Sequence, residues 1–256
     1  MKLTVLTENT SRYGLPAEHG LSLYIEANGR KMLFDMGQTG LFAENAQALG
    51  IDLSLVEFAV ISHGHYDHGG GLKRFLELNS KAPVYLSSRA FGEHYNGAEK
   101  YIGLDKTLQN NSRLVFTDGE TKIAEGFTLY SCPEMKTVCE LGSFGLNIKR
   151  NGVLMPEDFR HEHYLMIEEN GKRILISGCS HRGAVNIEEH FQPDVFIGGF
   201  HFSKLEDEKL RELAQMLDTR DTAYYTCHCT GVQQYEHMKK RMSMLKYISA
   251  GQSIEL

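Results

Sequence analysis

Long apolar runs, abundant proline and an excess of positive charge are all missing from this chain of 256 residues. No apolar stretch approaches the roughly 20 residues needed to cross a bilayer, so no membrane span is expected. Only five prolines occur, and no Pro-rich or Gly/Ser-rich linker divides the chain. One domain over residues 1–256 is therefore the simplest expectation. Lys plus Arg number 27 against 33 Asp plus Glu, a formal net charge of −6. A mildly acidic chain with scattered lysines makes nucleic acid and anionic membrane surfaces unexpected partners. Five cysteines, an odd number, argue against a complete disulfide framework. The first nine residues read as a strand and not as an apolar signal segment. Reduced thiols and a cytoplasmic location are the resulting expectations.

What is present begins with an ordinary globular composition, 41% hydrophobic and 23% charged. It also includes 12 histidines and 25 glycines, which invites a search for metal sites. Residues 3–6 read as a strand. Residues 21–26 and 31–34 flank Asn28-Gly29, a hairpin-turn signal. Residues 41–49 and 72–78 have helical spacing, and short apolar runs at 58–61 and 84–86 read as strands. Residues 132–160 lack clean periodicity and read as a long loop or insertion. A second hairpin is expected around Asn170-Gly171. Beyond it, strands at 195–197 and 223–225 alternate with helices near 205–217 and 233–242. The ordering suggests sheets covered by helices, with some antiparallel pairing.

The strongest local signal is Ile61-Ser62-His63-Gly64-His65-Tyr66-Asp67-His68-Gly69-Gly70-Gly71, between an expected strand and an expected helix. His63 and His65 are two apart, so in an extended segment they point the same way and can share one metal. Asp67 and His68 lie past the bend and can face a second ion, although a single-metal site using part of the motif would also account for the spacing. Gly64 lets the backbone fold tightly. Imidazole and carboxylate suit zinc, manganese or iron better than calcium.

His63-x-His65-x-Asp67-His68 resembles the signature of the metallo-β-lactamase-fold superfamily. Phe34-Asp35-Met36-Gly37 is similar to that family's early strand end. The resemblance implies a four-layer αβ/βα sandwich with the metal site at the sheet edge. It further implies that Asp35 supports the metal loop by hydrogen bonds. Glu18-His19-Gly20-Leu21-Ser22, Gly178-Cys179-Ser180-His181, Gly198-Gly199-Phe200-His201 and His228-Cys229-Thr230-Gly231 resemble a subgroup. That subgroup gathers around the methanopterin-pathway ribofuranosylaminobenzene-phosphate synthases. By resemblance, His181 completes the first metal's ligands and His228 the second's, and Glu8, Asn9, Glu18 and His19 line a substrate rim. Where the family carries a bridging Asp, this chain has Cys179, either a thiolate ligand or a buried small residue. His201 could bind a substrate phosphate, donate a proton or support the site. His161 and His163 could supply a ligand, but read more simply as exposed loop residues. His94, His190 and His237 read as solvated residues in helical surroundings. Cys227-His228-Cys229, with Cys132 and Cys139, lacks the C-x-x-C spacing of an iron–sulfur or structural zinc site.

One or two divalent ions, zinc foremost, would lower the pKa of a water from 15.7 to roughly 7 and make hydroxide available at neutral pH. Hydrolysis of a small metabolite is then the expected activity, on a phosphodiester, cyclic phosphate or lactone, with phosphorylated or pterin-like compounds favoured by the resemblance. Asp67 would orient the nucleophile and His201 would serve the leaving group. The rivals are a di-iron redox enzyme and a non-catalytic metal-bound sensor. Redox relatives commonly carry Glu where this chain has His65.

Overall fold

Several strands carry apolar residues on both faces, as strands covered on both sides must. In His163–Glu169, Leu165 and Ile167 face one way and Tyr164 and Met166 the other, and all four are buried. The computed structural model describes residues 1–131 and 134–256. Two seven-stranded sheets form the centre. One runs Ser253–Glu255, Lys2–Thr7, Ser22–Ala27, Arg30–Phe34, Phe58–Val60, Val84–Ser87 and Leu114–Thr117 in spatial order. The other runs Leu245–Tyr247, Ala223–Thr226, Val195–Gly198, Lys172–Ser177, His163–Glu169, Phe127–Ser131 and Gly119–Ala124.

The inner faces of the sheets meet in one core, where Val5, Ile25, Phe34 and Val60 pack with Phe127, Leu165, Ile176 and Ile197. The outer face of the first sheet is covered by helices Leu41–Ala48 and Leu72–Leu78, through Phe42 and Phe75. Helices Ala184–Phe191, Asp207–Asp218 and Val232–Met238 cover the second, through Ile187, Leu213 and Met238. This is the four-layer αβ/βα arrangement. In each sheet one half is antiparallel and the other parallel. The parallel strands deliver successive loops from their C-terminal ends, and the histidine motifs sit in those loops.

Both expected Asn-Gly hairpins form. Asn28 and Gly29 have φ of 50° and 71°, Asn170 and Gly171 53° and 75°, the two positive values that a tight hairpin turn requires. Residues 132–160 depart from the loop expectation. Leu146–Arg150 and Val153–Pro156 form a third hairpin around Asn151-Gly152, with φ of 52° and 81°. Together with Glu93–Asn96 and Lys100–Tyr101 they make a separate four-stranded sheet. Cys132, in the same stretch, lies outside the described residues.

His163 is a correction to the reading of an exposed loop. It opens its strand, is fully buried, and its Nε2 lies 2.8 Å from Ser131 Oγ on the neighbouring strand. Its backbone N–H donates to Ser62 O at 2.6 Å, tying the second sheet to the metal loop of the first. Burial pushes its pKa down to about 3. The folded state therefore refuses a proton that the unfolded chain accepts near pH 6.5, so this contribution to stability is present above pH 6.5 and is lost as pH falls toward 3. Between pH 7.5 and 5.5 the loss from this one group should be about 1.4 kcal/mol. Denaturant titrations of wild type and His163→Gln at both pH values should differ by that amount, and equal pH dependence would contradict it.

Candidate metal centre

The site is anchored by Asp35, which follows strand Arg30–Phe34 with φ of 59°. Its fully buried carboxylate accepts the Ser62 N–H and hydroxyl, both at 2.7 Å, and lies 2.7 Å from His68 Nδ1. The loop after strand Phe58–Val60 is thereby held at both ends. Between them, Gly64 packs against residue 90, where a Cβ would stand 2.1 Å from the Ala90 carbonyl oxygen. A single helical turn, Tyr66–Gly69, then carries Asp67 and His68.

His63, His65 and His181 come together with ring centroids 4.6 to 5.0 Å apart, and all three are buried. Ser62 Oγ lies 2.8 Å from His63 Nδ1, but His63 Nε2, His65 Nε2 and both nitrogens of His181 have no hydrogen-bond partner among the described residues. Burial, reinforced by the neighbouring histidines, pushes the pKa of all three well below the usual range. Neutral imidazoles with free lone pairs are what a metal requires.

The second group is His68, Cys179 and His228. His68 Nε2 lies 3.1 Å from Cys179 Sγ and 3.2 Å from His228 Nε2. Cys179 also groups with His63 and His181, which puts its sulfur between the two histidine sets, where a bridging ligand belongs. Asp67 Oδ2 lies 3.2 Å from His228 Nε2 and 3.1 Å from His19 Nε2. Burial opposes ionisation of Asp67, yet His68, His19 and His228 hold its carboxyl well below the usual carboxylate range. His68 is the opposite case to His63. Burial pulls its pKa down, but the carboxylates of Asp35 and Asp67 outweigh this and push it up to about 9.

His228 is fixed from behind. Asn9 Oδ1 lies 2.7 Å from its Nδ1, and Glu8 accepts its backbone N–H at 2.6 Å. Glu8 was expected at the rim. It is instead fully buried, where it also accepts from Thr10 and the Tyr247 hydroxyl, both at 2.6 Å. Glu18, also expected there, accepts the backbone N–H groups of Gln38 and Thr39 at 3.0 and 3.1 Å and braces that loop. Asn9 and His19 do line the cavity. His201 stands half-buried at its mouth, 4.3 Å between centroids from His181, with Nδ1 unpartnered.

Two further histidines correct the sequence reading. His94 is neither helical nor solvated. It lies fully buried in strand Glu93–Asn96 opposite Ile148 and stacks on His161 at 4.1 Å. His161 is also buried, and both stand beside His65. The polar run Glu93-His94-Tyr95-Asn96 gives no apolar alternation, so the inward face of this strand was hidden. Glu162, likewise unanticipated, is buried, accepts the His181 N–H at 2.6 Å and so sets that loop. Of the remaining expectations, His190 is exposed and His237 half-buried on their helices. Cys227 and Cys139 are free thiols in separate apolar cores, away from any cluster site.

A cavity of about 380 Å³ opens over both histidine sets. Tyr66, Ile102 and Leu146 form an apolar wall, and Lys100 and Lys204 stand at its edge. Buried unpartnered nitrogens gathered around a thiol and a low-pKa carboxylate fit one or two divalent ions of the zinc class, and no apolar or purely hydrogen-bonded role explains them.

The comparisons agree with this geometry. The crystal structure of Tm1679, a metal-dependent hydrolase of the beta-lactamase superfamily, superposes with a TM-score of 0.86 at 31% identity, covering 100% of this chain and 99% of that one. An uncharacterized protein of Methanocaldococcus jannaschii is 28% identical over 240 residues, 90% of each chain. The 7,8-dihydropterin-6-methyl-4-(beta-D-ribofuranosyl)-aminobenzene-5'-phosphate synthase of the same organism is 27% identical over 261 residues, 90% of this chain and 88% of that protein. The family model of the metallo-beta-lactamase superfamily matches residues 15–228, from the loop that carries His19 through to His228. With both histidine sets inside that match and the αβ/βα layers around them, the chain belongs to the metallo-beta-lactamase superfamily.

Proposed function

We propose that the protein is a metal-dependent hydrolase of a small phosphorylated metabolite, with zinc as the first-choice ion at a two-ion centre. The observation that carries this reading is the set of buried, unpartnered imidazole nitrogens opening on a cavity with two lysines at its edge. His63, His65 and His181 would hold one ion and Asp67, His68 and His228 the other, with Cys179 shared. Such ions supply Lewis acidity and bring the pKa of water to about 7.

The chain's own residues do the rest. Asp67 is ionised and faces the cavity, so it can orient a nucleophile while binding. His201 reaches the same cavity and can protonate a leaving group. Lys100 lies over the Tyr66 ring at 5.6 Å and Lys204 reaches the Phe144 carbonyl at 3.5 Å, and among the described residues neither pairs with a carboxylate, so both charges can be turned to a substrate anion. Tyr66, Ile102 and Leu146 would cover the substrate's apolar part and exclude water. The phosphate named in the M. jannaschii synthase is in keeping with an anionic ligand of this kind.

Elemental analysis of wild type should give two equivalents of metal per chain. His65→Ala should lose the first ion and all turnover while its circular dichroism stays native, and retained metal would remove His65 from the ligand set. Cys179→Ser should drop the content toward one equivalent, whereas unchanged content would mean the thiol is not a ligand. A double substitution, Lys100→Ala with Lys204→Ala, should lower kcat/KM for a phosphate ester about 10- to 100-fold through KM, the scale of losing charge-assisted hydrogen bonds. Its turnover of a neutral lactone should be unaffected, and an equal loss on both substrates would refute anion recognition by these lysines.

A further inference from the structure

Behind His65 lies a buried group that the metal centre as described does not use. The ring of His65 has His63 and His181 at 4.6 and 5.0 Å and also His94 and His161 at 5.5 and 5.0 Å. Ligand-type atoms of His65, His94, Glu157 and His161 all lie within 4.8 Å of one another. The Glu157 carboxylate is fully buried at the end of hairpin strand Val153–Pro156. Its Oε2 lies 2.6 Å from His94 Nδ1, while Oε1 has no hydrogen-bond partner. Neither nearby arginine answers it, because Arg150 and Arg160 both pair with Asp158. A bare buried carboxylate oxygen is costly, so donors must be sought among the surrounding histidines.

The tautomers identify them. His161 Nδ1 accepts the Gly64 N–H at 2.7 Å, so the neutral ring carries its proton on Nε2. That Nε2 is unpartnered and lies 3.8 Å from Glu157 Oε1. His65 Nε2 is unpartnered as well. A histidine that ligates a metal through one nitrogen donates the other N–H, most often to a carboxylate. We propose that Glu157 is a positioning residue for the ligand His65: its Oε1 takes the Nε2–H of His65 and fixes the tautomer that leaves Nδ1 for the ion. His161 and His94 supply the remaining donors and hold the carboxylate in place.

A third metal in this space is the rival occupant, and one observation weighs against it. With Nδ1 taken by Gly64, His161 has no lone pair on Nε2 to give. The inference makes the small sheet part of the metal site, since Glu157 and His94 both come from its strands and the adjoining turn.

The inference rests on the proposed metal centre for its effect on affinity, but the tautomer can be read without metal. Nitrogen-15 NMR of histidine-labelled, metal-free wild type should show His65 protonated on Nε2, and protonation on Nδ1 would overturn the proposal. In Glu157→Gln, which keeps the shape and one acceptor, zinc affinity measured by chelator competition should fall about 10- to 100-fold at unchanged stoichiometry. The His65 tautomer should become mixed. Glu157→Ala should lose more than Glu157→Gln; if it fails to fold, the Gln variant and the wild-type tautomer still decide. Unchanged affinity and tautomer in Glu157→Gln would refute the role. Loss of a whole zinc equivalent that His63→Ala retains would replace it with a third metal site. Wild type that binds no zinc would end the metal-centre reading while the tautomer measurement still judges Glu157.

Discussion

The buried carboxylate of Asp35 is the interaction on which the rest of the site depends. It takes the Ser62 backbone and hydroxyl on one side and His68 Nδ1 on the other. A charge-assisted hydrogen bond in a dry setting is far stronger than its exposed counterpart, and this carboxylate makes three. They fix the beginning and end of the histidine loop against the first sheet. His163 fixes the same loop to the second sheet through the Ser62 carbonyl. Every imidazole in the loop therefore inherits its position from a sheet strand, and none depends on a surface turn.

The same edge stores backbone strain. Asp35, Ser180, His201 and His228 all have positive φ, between 49° and 59°, and each lies in a loop that leaves a central strand. Non-glycine residues in this region cost of order 1–3 kcal/mol each and persist only where the surroundings over-determine them. Here the surroundings are identifiable: Glu8 and Asn9 hold His228, Glu162 holds the loop of His181, and Asp35 is held by its own three bonds. Electrostatics divides the site in the same manner. His63, His65 and His181 are kept neutral by burial, while His68 between two carboxylates is kept protonated until something displaces its Nε2 proton. An ion entering the second set must therefore compete with a proton, whereas one entering the first need not.

The parts of this arrangement that were legible in the sequence are those with short-range physics. Hairpins at Asn28-Gly29 and Asn170-Gly171 follow from the positive φ that asparagine and glycine tolerate. The His63-to-His68 spacing carries its own geometry, because the motif is local. Asn151-Gly152 is the same turn signal as the other two, and Leu146 and Ile148 alternate with Asn147 and Lys149, but the partner strand Val153–Pro156 is exposed throughout and the other two strands of the small sheet, Glu93–Asn96 and Lys100–Tyr101, are mostly polar. Periodicity cannot find such strands. His94, Glu157 and His161 were hidden for a related reason: their burial comes from the small sheet folding over His65, a contact between segments far apart in sequence. Glu8 was expected at the rim only through resemblance to the subgroup, with no local signal behind it. Only the return of the chain to Tyr247 and His228 reveals what it accepts from.

The small sheet also explains why one fold edge can hold both metal chemistry and selectivity. The two large sheets and their helices position the ligands and leave the space above them open. Leu146 and Ile102, with Tyr66, close that space on one side, and Lys100 on the same small sheet brings a cation to its edge. The same face carries His94 inward toward His65, with Glu157 in the turn beyond the hairpin. A change in the length or register of the 146–156 hairpin would therefore shift the substrate wall and the support of a metal ligand together. Substrate range and metal affinity are physically coupled here, because a single strand pair contributes to both.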